Sequence, residues 1–253
     1  MSELEVQSAD ASATGLNQWQ RVANTFAAPS KTFEDIKRGN RSWWLPLILL
    51  ASSGYILFGV ISYNIGMQQM VDNQMRMNPK AQVRTEQMTP EQRARVSKVS
   101  LEFTQGVFWV TPVIGIAGAA LVSMVLLVTV NFGFGGRAKY GQVFAVSYYA
   151  WLPTIVKVLL GLAVILAGQA PESFNIKNYA PTNIGAFLDP ADTNQALYAL
   201  ASAVDLVTIW TLILMGMGIA AVAGVKRNQG YMAVFGWWIV IVLFQIGWTA
   251  AFS

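Results

Sequence analysis

The sequence predicts an all-α polytopic membrane protein: a bundle of five transmembrane helices, with short amphipathic helices before it and a helical polar insertion between the first two spans. Three observations predict it. Apolar residues fill 54% of the 253 positions, charged residues only 12%, and mean hydropathy is +0.43, whereas a soluble domain carries about 25% charged residues. The apolar residues fall in five runs, each long enough to cross ~30 Å of hydrocarbon, which takes about 20 helical residues. Basic residues gather beside those runs rather than in a continuous stripe, so the net charge of +4 and pI near 9.4 predict no nucleic-acid partner.

In chain order, residues 1–15 are small, polar and acidic and predict a disordered tail. The opening MSELEVQSAD has three acids, no base and no following apolar core, so no cleavable signal peptide is expected. Over 16–41, Leu16, Trp19, Val22, Ala23 and Phe26 recur at helical spacing with Arg21 off the stripe. Pro29 then breaks the chain, and Ser30 is the expected cap of a second short helix carrying Phe33 and Ile36. These two cytoplasmic helices either lie in the membrane interface or pack on the protein's own loops.

The spans are expected at about 43–66, 107–132, 143–168, 197–224 and 231–252, together forming one membrane domain over 42–253. Trp43 and Trp44 suit the headgroup level at the start of the first. The insertion at 67–106 contains Thr89-Pro90-Glu91-Gln92, a capping box with proline at the first helical position, followed by Val96, Val99 and Phe103 on one face. Arg21, Lys31, Lys37, Arg38 and Arg41 precede the first span, Arg137 and Lys139 follow the second, and Lys226 and Arg227 follow the fourth. These three basic segments place the N-terminus in the cytoplasm and the C-terminus outside, against the dissent of six basic residues in 67–106.

Lys157 and Asp205 are the ionisable residues expected well inside the spans, where a charge costs ~2.5–3.5 kcal/mol and needs a partner. They are a candidate intramembrane pair, read either as a fastener of helix packing or as a polar transport site. Exchanging the two should preserve a packing role and abolish a transport site. Pro153 removes a backbone donor four residues before Lys157 and is expected to kink the third span. Gly216, Ala220 and Gly224 repeat every four residues, as do Gly115, Ala119 and Ser123, which lets helix backbones approach closely. Histidine and cysteine are absent, so no disulfide, thiol chemistry or common metal site is expected, and no cofactor. The Gly133-Phe134-Gly135-Gly136 cluster lacks the Lys-Ser/Thr of a phosphate loop, and no HExxH or GxSxG occurs, so no enzyme activity is expected.

The loop Gly136-Arg137-Ala138-Lys139-Tyr140-Gly141-Gln142-Val143-Phe144 resembles the G-x-x-x-[YF]-G-x-x-[YF] stretch that links the second and third spans in the Yip1 family. The following VSYYAWLP, the Asp205 and Trp210 pair, and Phe26-x-x-Pro29-x-x-x-Phe33-x-x-Ile36 are similar to its bacterial branch. The resemblance implies a five-span fold, with Gly136, Tyr140 and Gly141 as the family loop, and a bacterial inner (plasma) membrane. It implies a scaffold or accessory protein that acts on a membrane-protein partner or as a homo-oligomer in the lipid bilayer. Eukaryotic members bind small GTPases in membrane trafficking; this chain lacks their Asp-Leu-Tyr-Gly-Pro-like segment, which argues against small-GTPase binding here. The alternative reading is a small transporter or permease-like subunit with a midplane site at Pro153, Lys157 and Asp205.

Overall fold

A computed structural model describes residues 15–252, so residues 1–14 of the expected tail lie outside the described residues. The described chain is helical, and its only β pairing is an isolated antiparallel bridge between Asn183 and Asp205. Helices α1 (Gln18–Ala27) and α2 (Pro29–Arg38) lead to α3 (Trp44–Asn64), the first helix able to span a membrane. The insertion folds as α4 (Met67–Arg76), α5 (Pro79–Glu86) and the start of α6 (Pro90–Val128). Then come α7 (Tyr140–Ala150), α8 (Thr154–Leu166), α9 (Gln195–Ala203), α10 (Leu206–Ala223) and α11 (Arg227–Phe252).

Among the described residues, five helices are long and apolar enough to cross a membrane, one for each expected run. Helix α6 continues through a π turn at Thr129–Gly133 to make 44 residues. At 1.5 Å per residue that is about 66 Å, roughly twice a bilayer core, so its N-terminal half belongs to the polar insertion. The capping box starts it as expected: Gln92 Oε1 accepts from the Thr89 amide at 2.9 Å, and Thr89 Oγ1 accepts from the Gln92 amide at 3.3 Å.

The fourth span departs from the expected 197–224. Residues 195–203 form the separate helix α9, and the apolar span is the 18-residue α10 beginning at Leu206. Hydropathy alone does not separate the two, because Leu197–Val204 is itself an uncharged, apolar stretch. The break comes from Asp205, whose Oδ1 accepts from the Thr208 amide at 2.9 Å and so caps α10. Asp205 therefore stands at the head of the span and not a third of the way into it.

The N-terminal helices also correct the sequence reading. Ser30 does not cap α2; Ala28 precedes it without a side-chain cap, and Pro29 opens the first turn. Arg21, which lies off the apolar stripe, is 1% exposed, while Trp19 of the stripe is 64% exposed. Helix α2 buries Phe33 and Ile36 and packs on α7, so the chain covers it itself.

The residues fall into two compact units. One comprises the chain up to Leu47, Ala119–Leu152 and Leu212–Val234. Its core is α7, in which every residue from Gln142 to Ala150 is buried, as expected of a helix apolar all round. The other comprises Ile48–Gly118, Pro153–Thr211 and the chain from Phe235. Its apolar core joins Leu57, Ile61 and Ile65 to Met70, Val158, Ile165 and the loop residue Phe174.

Candidate functional site

The loop singled out by its spacing is the hub of the first unit, and each of its small residues has a steric reason. The Gly135 backbone has φ +70°, a left-handed turn that favours glycine. A Cβ on Gly136 would stand 3.0 Å from both the Ala223 methyl and the Val130 carbonyl, and one on Gly141 3.2 Å from Arg41 Cδ. Backbone and side-chain bonds then close the loop. The Gly136 amide donates to Val130 O at 2.9 Å and the Arg137 amide to Ala223 O at 3.0 Å. The Asn131 amide group pairs with the Ala138 backbone in both directions, at 2.9 and 3.0 Å. The Tyr140 hydroxyl donates to Ala120 O at 3.3 Å. Gln142 caps α7 by accepting from the Lys139 amide and donates to Lys37 O at 2.9 Å, fixing α2 to the loop.

Behind that loop lies a buried polar latch that the sequence did not reveal. Arg21 Nε lies 3.5 Å from Asp35 Oδ2, and Nη1 donates to the carbonyls of Asn40 and Ser42 at 3.1 and 3.2 Å. Its guanidinium carbon sits 5.2 Å from the centre of the Tyr149 ring. Asp35 also accepts from the Leu16 amide at 3.0 Å and from Asn40 at 3.2 Å. Thr25 and Thr32 both donate to Arg21 O. A buried arginine is tolerated because carboxylate, carbonyls and aromatic face together replace its hydration. The Tyr149 hydroxyl itself is buried without a hydrogen-bond partner.

In the second unit the structure brings Lys157 and Asp205 together: Lys157 Nζ donates to Asp205 Oδ2 at 3.0 Å. Two more donors converge on the same oxygen, Thr182 Oγ1 and, at 3.2 Å, Asn183 Nδ2. With the Thr208 amide on Oδ1, Asp205 accepts from four groups while only 2% exposed. A tier of hydrogen bonds continues outward. Asn183 donates to Asn178, whose own amide donates to Tyr198 and Ser202 at 2.7 and 2.9 Å, and Asn175 donates to Tyr198 at 2.7 Å. The Lys157 ammonium also lies 5.7 Å from the centre of the Tyr179 ring. Burial, with the Asp205 carboxylate adding to it, pushes the Tyr179 hydroxyl up to about 12, so that ring is a neutral phenol.

The third span breaks where Pro153 stands: α7 ends at Ala150 and α8 begins at Thr154, placing Lys157 in the first turn of α8. Gly161, one turn further on, is where Tyr179 packs; a Cβ there would fall 2.4 Å from its ring. Of the expected packing residues, Gly216 receives Tyr231, with 2.4 Å left for a Cβ, and Ala220 faces Gly230. Gly224 packs against nothing within 4 Å; its φ of +69° turns the chain out of α10. In the second repeat, Ala119 and Ser123 are fully buried, and Ser123 Oγ meets Ser147 Oγ at 3.1 Å, whereas Gly115 faces open space.

These features define an all-helical membrane protein with five candidate spans among the described residues. The chain belongs to the Yip1 family: the family model described as the Yip1 domain matches residues 23–249, nearly the whole sequence. No curated protein and no solved structure gives a match.

Proposed function

We propose that this chain is a non-enzymatic Yip1-family scaffold or accessory protein that recruits or regulates a membrane partner. The observation that carries this reading is the set of donors gathered on Asp205. Lys157, Thr182 and Asn183 converge on Oδ2 and the Thr208 amide holds Oδ1, so the charged pair fastens the loop before α10 to α8. A carboxylate already held by four donors offers little to a passing ion or substrate. Affinity purification of the full chain in mild detergent tests the reading. A co-purifying membrane protein in fixed ratio is the expected result, and a lone homo-oligomer across several detergents contradicts it.

We further propose that the N-terminus is cytoplasmic and the C-terminus outside, in a bacterial inner membrane. Three short basic segments support this orientation: the residues before the first span, Arg137 and Lys139 after the second, and Lys226 and Arg227 after the fourth. The six basic residues of 67–106 stand against it, because acids count little in this rule.

A transporter is the second reading. It draws on Lys157, whose side chain remains 18% exposed beside the break at Pro153. Charge exchange does not separate the two readings, because a lysine at 205 accepts no hydrogen bonds and strands Thr182, Asn183 and Thr208. Substrate uptake in proteoliposomes by wild type and Lys157→Met does separate them.

A further inference from the structure

We propose that a cavity beneath α2 in the first unit binds the phosphate of a phospholipid headgroup. The cavity measures about 320 Å³, at the lower end of the ~300–1,000 Å³ typical of small-molecule sites. Ser30, Lys37 and Glu34 of α2 line one part of it, and Arg227, the first residue of α11, lines another. Phe33 and Met217 contribute apolar walls.

Three facts point to a phosphate. First, Arg227 Nη2 is held 3.3 Å from Ser30 Oγ, which sets a guanidinium beside a hydroxyl, the donor pairing that phosphate oxygens accept. Second, neither Arg227 nor Lys37 is in an ion pair; the two ion pairs among the described residues are Arg21–Asp35 and Lys157–Asp205. Two cations face one cavity, neither in an ion pair with the Glu34 that also lines it, in a unit already rich in positive charge. Third, Lys37, Arg227 and Glu34 sum to one positive charge, which matches a phosphodiester of charge −1. Free phosphate is partly doubly ionised at neutral pH, unlike a phosphodiester, and so meets Glu34 at a disadvantage. The apolar walls suit the glycerol and the first acyl carbons. Basic pockets among membrane helices on the cytoplasmic side commonly hold such headgroups. The site stands independently of whether the chain is a scaffold or a transporter.

Native mass spectrometry of the full chain in mild detergent tests this, with added short-chain phosphatidylglycerol, diacylglycerol or inorganic phosphate. One tight phosphatidylglycerol adduct is expected, with diacylglycerol at least tenfold weaker. Arg227→Gln should weaken the phospholipid about tenfold, the scale of one charge-assisted hydrogen bond. Arg227→Lys should retain part of the affinity, and Arg227→Gln with Lys37→Gln should abolish the adduct. Both side chains are exposed, so an unchanged Tm certifies the fold; if the glutamine double variant fails to fold, Arg227→Lys with Ser30→Ala serves in its place. Glu34→Gln should admit inorganic phosphate. Equal binding of diacylglycerol, or no loss in the variants, overturns the proposal. Inorganic phosphate displacing the lipid from wild type at equal concentration overturns the headgroup assignment.

Discussion

Removing the Asp205 carboxylate should destabilise the protein by an amount that its hydrogen bonds allow one to work out. In Asp205→Ala the α10 cap is lost, about 1 kcal/mol. Thr182 and Asn183 are each left with a donor unmatched at that oxygen, about 1 kcal/mol apiece at the low end for buried groups. Lys157 adds less than a fully buried partner would, because its side chain is 18% exposed and retains the Tyr179 face. The total is about 3 kcal/mol, or a Tm drop of ~6–12 °C for a chain of this length. Asp205→Asn has one acceptor oxygen, which can keep the cap while its NH2 meets the donors of Lys157, Thr182 and Asn183, so it should still lose about 2 kcal/mol. Lys157→Met leaves Asp205 three donors and should lose about 1 kcal/mol. Thermal unfolding of the purified protein in a single detergent, followed by tryptophan fluorescence, reads all three. The order Ala, then Asn, then Met is the prediction. An Asp205→Ala variant within about 2 °C of wild type, or a Lys157→Met variant as damaged as Ala, refutes the account of Asp205 as a four-way fastener.

Other expectations rest on single contacts. Tyr149→Phe should leave Tm unchanged or raise it, since the hydroxyl it removes is buried without a partner while the ring stays against Arg21. Arg21→Met should lower Tm by several degrees by leaving Asp35 buried without its cation, and pairing it with Asp35→Leu should recover part of the loss. Gly216→Ala should cost about 1–3 kcal/mol because Tyr231 leaves 2.4 Å for the added methyl, while Gly115→Ala, with nothing within 4 Å, should be neutral or stabilising by the same assay. For orientation, the absence of native cysteine allows a cysteine at exposed Gln87 to be labelled by a membrane-impermeant maleimide. Labelling from outside is expected, and protection until the membrane is opened would reverse the topology.

Much of the fold was legible because its signals are local. A membrane span is a composition, so five apolar runs marked five helices, and the Thr89-Pro90-Glu91-Gln92 box marked the start of α6. The spacing Gly136, Tyr140, Gly141 marked the loop around which the first unit closes, since a glycine at a close approach leaves its trace in the sequence itself. Lys157 and Asp205 stood out because charges are rare among apolar residues.

Partners across long separations became visible only in the folded chain. Thr182 and Asn183 look like ordinary loop residues until they are placed on Asp205. Asn73, buried, ties α4 to the carbonyls of Pro171 and Phe174, a separation of about a hundred residues that no local pattern records. Arg21 lies off the apolar stripe and is buried all the same, because Asp35, two carbonyls and Tyr149 together outweigh its loss of water. Hydropathy also ran α9 and α10 together, and a single capping carboxylate divided them. Which segments avoid water was written in the order of the residues; which polar groups could join them depended on the donors and acceptors that folding set beside each one.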